Sequence, residues 1–422
     1  MKYTKTILKN GLRVITVPMK DNPTVTVLVL VETGSKYETK EKNGISHFLE
    51  HMCFKGTTKR PSAQAISSEL DGLGSSYNAF TSQEYTGYYA KSSANHFKKI
   101  FDVVSDVYLN STFPATEIEK EKGVIVEEIN MYEDMPHRHV HDLFTSLLYG
   151  DTPAGWNIAG TRENVRAMTR EDFVSYHTNN YVPKATTVII AGKVSEKEAL
   201  AEAKKVFDKL PNKKKNKKIK TVEKQNKPEV LVSYKKTDQT HLVLGFRTTD
   251  LYDKRNSALT VLSTILAGGM SSRLFIKLRE DLGVAYYVRA SNDTSTDSGF
   301  LSISAGVSND RVEEVIKEIL LECKRLTTEL VGKNELEKVK EYLIGNMKLE
   351  LESSDAWASY FGGQDIVHKK IQKPEEIEAK IRKVTAKEVQ KIAKSFFVNQ
   401  GLNLCLIGPF EKKENFIKIL KV

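Results

Sequence analysis

The chain has 422 residues, 40% hydrophobic and 28% charged, as is ordinary for a globular protein of two or three domains. Its net charge of +10 is unevenly placed, because residues 211–228 contain eight lysines and one glutamate and the rest of the chain is close to neutral. This segment is predicted to be a linker, and since no aromatic-basic motif accompanies it, we expect no nucleic-acid partner.

The N-terminal residues carry no apolar segment that would predict a secretory signal. An Asn10-Gly11 turn separates two predicted strands, and the longest apolar run, residues 25–31, has the length of a strand rather than of a membrane span. The cysteines are too few and too scattered for a disulfide framework, which favours a reducing compartment. They are Cys53, Cys323 and Cys405. We therefore expect a cytoplasmic protein with no membrane partner.

Two histidines four residues apart, His47 and His51, follow a helix-breaking Asn43-Gly44 pair and have Glu50 between them. On a helix this spacing directs both imidazoles from one face, where they can share one metal ion. A carboxylate at the edge of that face can act as a general base towards water on the metal. The alternative is a buried pair of structural histidines, and a third ligand would favour the metal.

Strands are predicted within residues 75–90, where aromatic residues, threonines and alanines cluster, and an amphipathic helix is predicted at residues 94–110. From the pattern alone, these strands are as consistent with the core of a sheet as with its edge. An edge position would leave one strand free to form further backbone hydrogen bonds.

A third ligand is offered by a glutamate-rich segment in which Glu121 and Glu128 lie about two helical turns apart, on one face. One carboxylate can bind a metal while the other supports a ligand. A solvated face is the usual interpretation of a glutamate-rich helix. Here the intervening Val124, Ile125 and Ile129 predict instead that this part of the helix is buried.

Three further histidines follow this segment at every second position: His137, His139 and His141. Their spacing cannot direct all three at one metal from a helix, although His137 and His141 could face it together. We expect these side chains to be solvated rather than to form a second metal site.

The order His-x-x-Glu-His, followed by a distant glutamate, resembles the zinc motif of peptidase family M16, the pitrilysin-type inverzincins. In length and layout the whole chain is similar to the branch that includes the mitochondrial processing peptidase and its bacterial relatives. The resemblance implies a zinc metalloendopeptidase with one Zn²⁺ per chain, bound by His47, His51 and Glu128. Glu50 would then be the general base, and Glu121 would support a ligand from outside the metal shell.

The same resemblance assigns the remaining site residues of the first half. Glu127, which is adjacent to Glu128 in the sequence, is the alternative candidate for the third ligand. Asn78, Ala79 and Phe80 fall on the family's edge strand, which binds a peptide substrate as an added strand through main-chain hydrogen bonds. We therefore expect the substrate to be an extended peptide or an unfolded segment.

An internal repeat predicts the architecture. Residues 73–77 resemble residues 282–286, and residues 117–120 resemble residues 335–338. The two halves are therefore interpreted as copies of one unit, in an α+β fold of two tandem homologous α/β-sandwich units. Each unit is expected to have an antiparallel-rich sheet covered by helices. The expected boundaries are 1–210 for the first domain, 211–228 for the linker and 229–422 for the second domain.

The second half lacks the residues of the metal motif. Val339 and Asn346 stand where the first half has its two glutamates, so one zinc per chain is expected. This half instead carries Arg279 and Tyr286, which resemble the family's arginine–tyrosine pair and suit contact with a substrate carbonyl or an oxyanion. Without that resemblance they would be interpreted as a surface arginine and a half-buried strand tyrosine.

Longer members of the family close four such units around a substrate, which implies that two chains of this length form a full chamber. A homodimer is expected, and a heterodimer with a degenerate homologue is the runner-up. Two alternatives to a peptidase stay open. A non-catalytic structural subunit would be expected to lose the zinc motif, and a zinc-binding module without hydrolysis has no use for Glu50.

Overall fold

The protein's structure is a computed structural model, which describes residues 1–368 and 370–422. The chain folds into two compact units that are each assembled from three stretches of sequence. Unit 1 comprises residues 1–130, 156–219 and 349–372, and unit 2 comprises residues 131–155, 220–348 and 373–422.

The secondary structure alternates between short strands and helices along both halves of the chain. The strands are β1 (Thr4–Ile7), β2 (Arg13–Pro18), β3 (Thr24–Val31), β4 (Ser76–Thr81), β5 (Thr86–Ser93), β6 (Thr186–Gly192), β7 (Glu229–Tyr234), β8 (Gln239–Arg247), β9 (Ala285–Thr294), β10 (Gly299–Ser308) and β11 (Leu402–Gly408). The helices are α1 (Ile45–Cys53), α2 (Ala63–Gly72), α3 (Phe97–Leu109), α4 (Ala115–Glu133), α5 (Pro136–Tyr149), α6 (Arg162–Ala167), α7 (Arg170–Asn180), α8 (Glu196–Phe207), α9 (Asn256–Ala267), α10 (Arg273–Phe275), α11 (Val312–Thr328), α12 (Lys333–Glu350), α13 (Ser354–Val367), α14 (Pro374–Lys383), α15 (Ala386–Phe396) and α16 (Glu414–Ile419). α10 continues as a π-helical turn, Ile276–Asp281.

Unit 1 is built on a sheet with the strand order β1-β2-β6-β3-β5-β4. Neighbouring strands are antiparallel except for β2 and β6. The central strands β3 and β6 are almost entirely buried, which fits their continuous runs of aliphatic residues. One face of the sheet is covered by a core that includes α1 and α3, and the other face is covered by α13. β4 forms one edge of the sheet, where its outer backbone groups have no strand partner among the described residues.

α13 covers the second face of this sheet mainly with aromatic side chains. Trp357 and Phe361 belong to one buried cluster with Leu28 and Leu30 of β3. Gly362 lies so close to the sheet that a Cβ atom there would come within 2.8 Å of Leu30 Cδ1. α13 is therefore part of the core of unit 1, although it comes late in the chain.

Unit 2 repeats this plan with the strand order β7-β11-β8-β10-β9. Without β1, the two orders correspond strand for strand, and β7 and β11 are parallel as β2 and β6 are. α5 covers one face, where Val140 and Phe144 pack with Val243 and Cys405, and α9, α11 and α15 lie on the other face. The expected α+β fold of two homologous sandwich units is confirmed.

The compact units differ from the expected domain boundaries in two helices. α5 lies within residues 1–210 but belongs to unit 2, and α13 lies within residues 229–422 but belongs to unit 1. The physical reason is packing, since each helix places its apolar side chains on the sheet formed by the other half of the chain.

The lysine-rich segment 211–228 forms neither helix nor strand, and its first part lies against unit 1. Lys215 forms an ion pair with Glu32, and Lys218 forms one with Glu84. From position 220 onward the segment belongs to unit 2. Part of its basic charge is thus neutralised by carboxylates of unit 1.

All three cysteines are free and buried. Cys53, beside the zinc motif, is fully buried in the core of unit 1, as expected for a small apolar helix residue. Burial raises the pKa of its thiol to about 12, so it stays protonated. None of the helices in the described ranges is both long and apolar enough to cross a membrane.

Candidate metal centre

α1, which carries the two histidines, begins at a glycine that other residues cannot easily replace. Gly44 has a φ angle of 99°, and a Cβ atom there would lie 2.6 Å from the carbonyl oxygen of Ala159. The buried carboxylate of Glu38 caps the helix by accepting hydrogen bonds from the backbone N–H groups of Gly44 and Ser46, both at 2.8 Å. Burial raises the pKa of Glu38, and these hydrogen bonds act in the opposite direction. The first turn of the helix is therefore held in place before the metal ligands follow.

The three predicted ligands meet on one side of α1. Nε2 of His47 lies 3.6 Å, and Nε2 of His51 lies 3.5 Å, from the same oxygen of Glu128, Oε2, on α4. In a tetrahedral zinc site with bonds of about 2.0–2.2 Å, neighbouring ligand atoms are separated by roughly 3.3–3.6 Å. The observed distances therefore fit a zinc ion bound by these three side chains.

Glu121 lies two turns before Glu128 on α4 and connects the ligands to a lysine. Its Oε1 is 2.9 Å from Nδ1 of His51, and its Oε2 is 2.5 Å from Nζ of Lys55. Burial disfavours the ionised form of Glu121, but the hydrogen bonds from His51 and Lys55 outweigh burial and lower its pKa. An ionised Glu121 holds the His51 ring with Nε2 directed at Glu128.

The surroundings shift the pKa values of the two histidines in opposite directions. Burial, with a smaller contribution from neighbouring His51, lowers the pKa of His47 to about 3, so this imidazole is neutral at neutral pH. Burial also disfavours the charged form of His51, but its hydrogen bond to Glu121 and nearby carboxylates raise its pKa overall. Nδ1 of His47 is buried and has no hydrogen-bond partner within the described part of the chain. His47 is therefore already in the neutral form that binds a metal.

Glu50 lies beside the ligands, and a residue of the edge strand β4 holds its carboxylate by a hydrogen bond. The hydroxyl of Thr81, the last residue of β4, donates a hydrogen bond of 2.6 Å to Oε2 of Glu50. Burial raises the pKa of Glu50, and the hydrogen bond from Thr81 partly offsets this effect. A carboxylate with a raised pKa is suited to accept a proton and to return it near neutral pH.

The three residues predicted to contact substrate lie on β4, at the edge of the sheet. Asn78 is exposed, and its side-chain oxygen accepts a hydrogen bond of 2.9 Å from the N–H of Ala79. Phe80 packs near Tyr85, with ring centroids 6.1 Å apart. Among the strands of the described residues, β4 pairs only with β5, so the backbone groups along its other edge have no strand partner.

Arg279 and Tyr286 lie together in unit 2. Nη1 of Arg279 donates a hydrogen bond of 3.4 Å to the carbonyl oxygen of Tyr286, and its guanidinium lies 5.1 Å from the centroid of the Phe275 ring. The side chain of Tyr286, near the start of β9, is 76% exposed. Its phenol is therefore accessible to a ligand and is not that of a half-buried strand tyrosine.

One detail predicted for the glutamate helix is wrong. Ile125 and Ile129 are buried, but Val124 is 51% exposed. Successive residues of a helix are rotated by about 100°, so position 124 faces solvent when position 125 faces the core. Glu127 is also exposed and stands outside the ligand cluster.

The histidines that follow α4 are not brought together around a metal. His137 and His141 are exposed, and residues 1–368 and 370–422 contain no second group of three metal-ligating side chains. The ring of His137 lies near that of His241, with centroids 6.1 Å apart.

Three residues that support the site are not identified by the sequence motif: Glu38, Lys55 and Thr81. Lys55 carries a signal only through its spacing, since it follows His51 by four residues, just beyond the end of α1. Thr81 belongs to the run that contains the substrate residues, but its hydrogen bond to Glu50 depends on how β4 lies against α1. Glu38 has no local signal, because a short 3-10 helical turn, Lys40–Lys42, separates it from the helix that it caps.

Comparisons with known proteins identify the family and agree with this fold. The family model described as insulinase (peptidase family M16) matches residues 13–162, and the one described as peptidase M16 inactive domain matches residues 167–343. The uncharacterized zinc protease YmxG of Bacillus subtilis is 36% identical, with 95% of this chain and 97% of that protein covered. An uncharacterized zinc protease of Mycobacterium leprae is 33% identical, with 99% of this chain and 94% of that protein covered. The relatives are thus named zinc proteases.

The chain belongs to peptidase family M16. Solved structures agree on the fold. A protease from Helicobacter pylori superposes with a TM-score of 0.91 at 24% identity, covering 97% of this chain and 99% of that one. A protein from Pseudomonas fluorescens described as a peptidase M16 inactive domain has a TM-score of 0.89 at 18% identity, with the same coverage of 97% and 99%. At these identities the two structures show the fold alone.

Proposed function

We propose that this protein is a zinc-dependent endopeptidase that hydrolyses extended peptides or unfolded segments. The observation that carries the proposal is the approach of His47 and His51 to a single oxygen of Glu128, with Glu50 on the same helix as the histidines. These ligands could hold one Zn²⁺ per chain, and the relatives named zinc proteases support this ion. When bound, zinc would polarise the scissile carbonyl and lower the pKa of a bound water to about 7.

The chain's own residues move the proton and orient the substrate. Glu50, whose carboxylate is held by Thr81, accepts the proton of the attacking water and delivers it to the departing amine. Glu121 keeps the ring of His51 in its orientation throughout. Because main-chain hydrogen bonds along β4 recognise the peptide backbone, many substrate sequences are expected to be accepted.

A non-catalytic structural subunit is the second candidate function, because one family model that matches the chain is described as an inactive domain. That match covers residues 167–343, whereas the metal-ligating cluster lies within residues 13–162, which match the insulinase model. The His47, His51 and Glu128 cluster therefore lies outside the match to the inactive domain, and this supports the peptidase over the structural subunit.

The proposal predicts that substrate conformation decides cleavage. A small disulfide-bonded protein is expected to be cleaved after reduction and unfolding but spared while folded, since the substrate must become a strand beside β4. Mass spectrometry of the products of both forms, with and without a zinc chelator, measures the difference. Cleavage within the core of the folded form would contradict recognition by strand addition. Failure of the zinc-loaded protein to cut any unfolded substrate would contradict the peptidase itself.

We also propose that the protein works in the cytoplasm as a homodimer, with a heterodimer containing a degenerate homologue as the second possibility. The free cysteines support a reducing compartment. The exposed pair Arg279 and Tyr286 supports the assembly, because it could contact a substrate bound at the metal centre of the partner chain. A symmetric dimer of this kind would contain two composite sites, and C2 is the commonest closed symmetry.

Composite sites predict complementation between two defective variants. Glu50→Gln and Arg279→Ala are each expected to be poorly active alone, because the first lacks the base and the second lacks the substrate contact. After mixing and subunit exchange, activity should return, since a mixed dimer contains one intact composite site. Peptide cleavage before and after exchange is the measurement. No recovery despite demonstrated exchange would show that the site is built within one chain or that Arg279 has no part in it.

A further inference from the structure

The turn between α3 and α4, residues 110–114, contains an unusual backbone conformation. Phe113 has a φ angle of 48°, and it is the one non-glycine residue with positive φ in the described ranges. Bulky side chains rarely adopt this left-handed region, because their Cβ atom crowds the backbone. The surrounding structure must therefore impose the conformation.

Hydrogen bonds tie this turn to the end of α1. The hydroxyl of Ser111 donates to the carbonyl oxygen of Cys53, the last residue of α1, at 3.1 Å. The backbone N–H of Thr112 donates to the carbonyl oxygen of Gly56 at 3.0 Å. The turn that precedes α4 is thus bound directly to the helix that carries both histidines.

A second set of contacts ties the turn to α7. The guanidinium of Arg170, the first residue of α7, donates from Nε to the carbonyl oxygen of Phe113 at 3.0 Å and from Nη2 to that of Thr112 at 3.1 Å. The buried ring of Phe113 lies 6.3 Å from that of Phe173, centroid to centroid. Phe173 in turn packs edge-on, at 4.7 Å, against Phe48, the neighbour of His47 on α1.

These contacts matter for the metal centre because α4 begins immediately after the turn. From Ala115 to Glu128 the helix extends roughly 20 Å, so a tilt of about 10° at its start would move the third ligand by about 3 Å. A metal site tolerates displacements of only about 0.5 Å. The direction in which the chain leaves Phe113 therefore affects the distance between Glu128 and the histidines, alongside the packing of the buried isoleucines of α4.

We propose that Phe113 and Arg170 are positioning residues for the metal centre, which orient α4 so that Glu128 and Glu121 meet the histidines. This inference rests on the proposed function, because it concerns the affinity of the same site for zinc. Neither residue contacts the ligand atoms directly. Their effect is transmitted through the turn and the helix.

The experiment measures the zinc dissociation constant of purified variants by competition with a chromophoric chelator. Arg170→Gln removes the guanidinium, and with it the paired donation to Phe113 and Thr112, and is expected to weaken zinc binding about 10-fold or more, as changes outside the metal shell typically do. Arg170→Lys can retain one hydrogen bond and should fall between this variant and the wild type. Phe113→Ala, which loses the ring contacts, should also weaken binding. Arg166→Gln is the matched control, because Arg166 is exposed on α6, and its affinity should stay within about 2-fold of the wild type.

Circular dichroism and melting curves of the zinc-free proteins identify variants that fail to fold, and Arg170→Lys keeps the test valid if Arg170→Gln is one of them. A purely structural role predicts lower melting temperatures with an unchanged zinc dissociation constant for the folded protein, and that result would overturn the inference. If the wild-type protein itself binds no zinc, the proposed function fails. If the wild type binds zinc and the Arg170 variants bind it equally well, only this inference fails.

Discussion

Replacement of Glu50 by glutamine is expected to reduce peptide cleavage by about 10²–10⁴-fold while leaving zinc binding intact. Glutamine has nearly the same shape and can keep the hydrogen bond from Thr81, but its amide cannot accept the proton of the attacking water. Because Glu50 lies outside the ligand cluster, the metal should remain. The measurements are the kcat for an unstructured peptide and the zinc content of the purified variant.

Two variants of Thr81 provide the matched comparison. Thr81→Val keeps the shape of the side chain but removes the hydroxyl, so kcat should fall by less than in Glu50→Gln while KM changes little. Thr81→Ser restores a hydroxyl and should recover most of the activity. Full turnover by Glu50→Gln, with contaminating peptidases excluded, would rule out this residue as the general base. Peptides that remain bound to the inactive variant would also reveal the natural substrates.

Replacement of Glu128 by alanine is expected to remove zinc and, with it, all cleavage. The two histidines alone supply too few ligands for a stable catalytic site, which requires three. Glu121→Gln should have a graded effect, weakening zinc binding by about 10–100-fold, because it still fills its place beside His51 but loses its charge. Zinc content after dialysis and the dissociation constant from chelator competition separate the two variants.

The control for this series is Glu127→Ala. Glu127 is adjacent in sequence and is exposed, so its removal should leave both zinc content and activity unchanged. Stoichiometric zinc in Glu128→Ala, together with loss of zinc in Glu127→Ala, would reverse the assignment of the third ligand. Stoichiometric zinc in both variants would show that neither glutamate is needed to bind the metal.

The features that the sequence predicts well are those that depend on neighbours along the chain. The spacing of His47 and His51 requires only that α1 is a helix, and the spacing of Glu121 and Glu128 requires the same of α4. The buried isoleucines of α4 predict that the side with Glu121 and Glu128 faces α1. The rotation of the helix is harder to predict, and this is why Val124 faces solvent rather than the core.

The features that cannot be predicted from the sequence depend on contacts between segments that are distant along the chain. The hydrogen bond from Thr81 to Glu50 requires β4 to end beside α1, and the ion pair of Lys55 with Glu121 requires α4 to pass the end of α1. The positive φ of Phe113 has no sequence signal, because it is imposed by partners such as Arg170. The sequence also gives no sign that α5 packs in unit 2 and α13 in unit 1. An apolar helix face does not specify which of two similar sheets it will cover.

Because α5 packs in unit 2 and α13 packs in unit 1, each half of the chain depends on a helix from the other half. A gene that encoded only the first half would produce a sheet whose residues Leu28 and Leu30 lack Trp357 and Phe361 as cover, and such an apolar surface promotes aggregation. Neither half is therefore a self-sufficient domain.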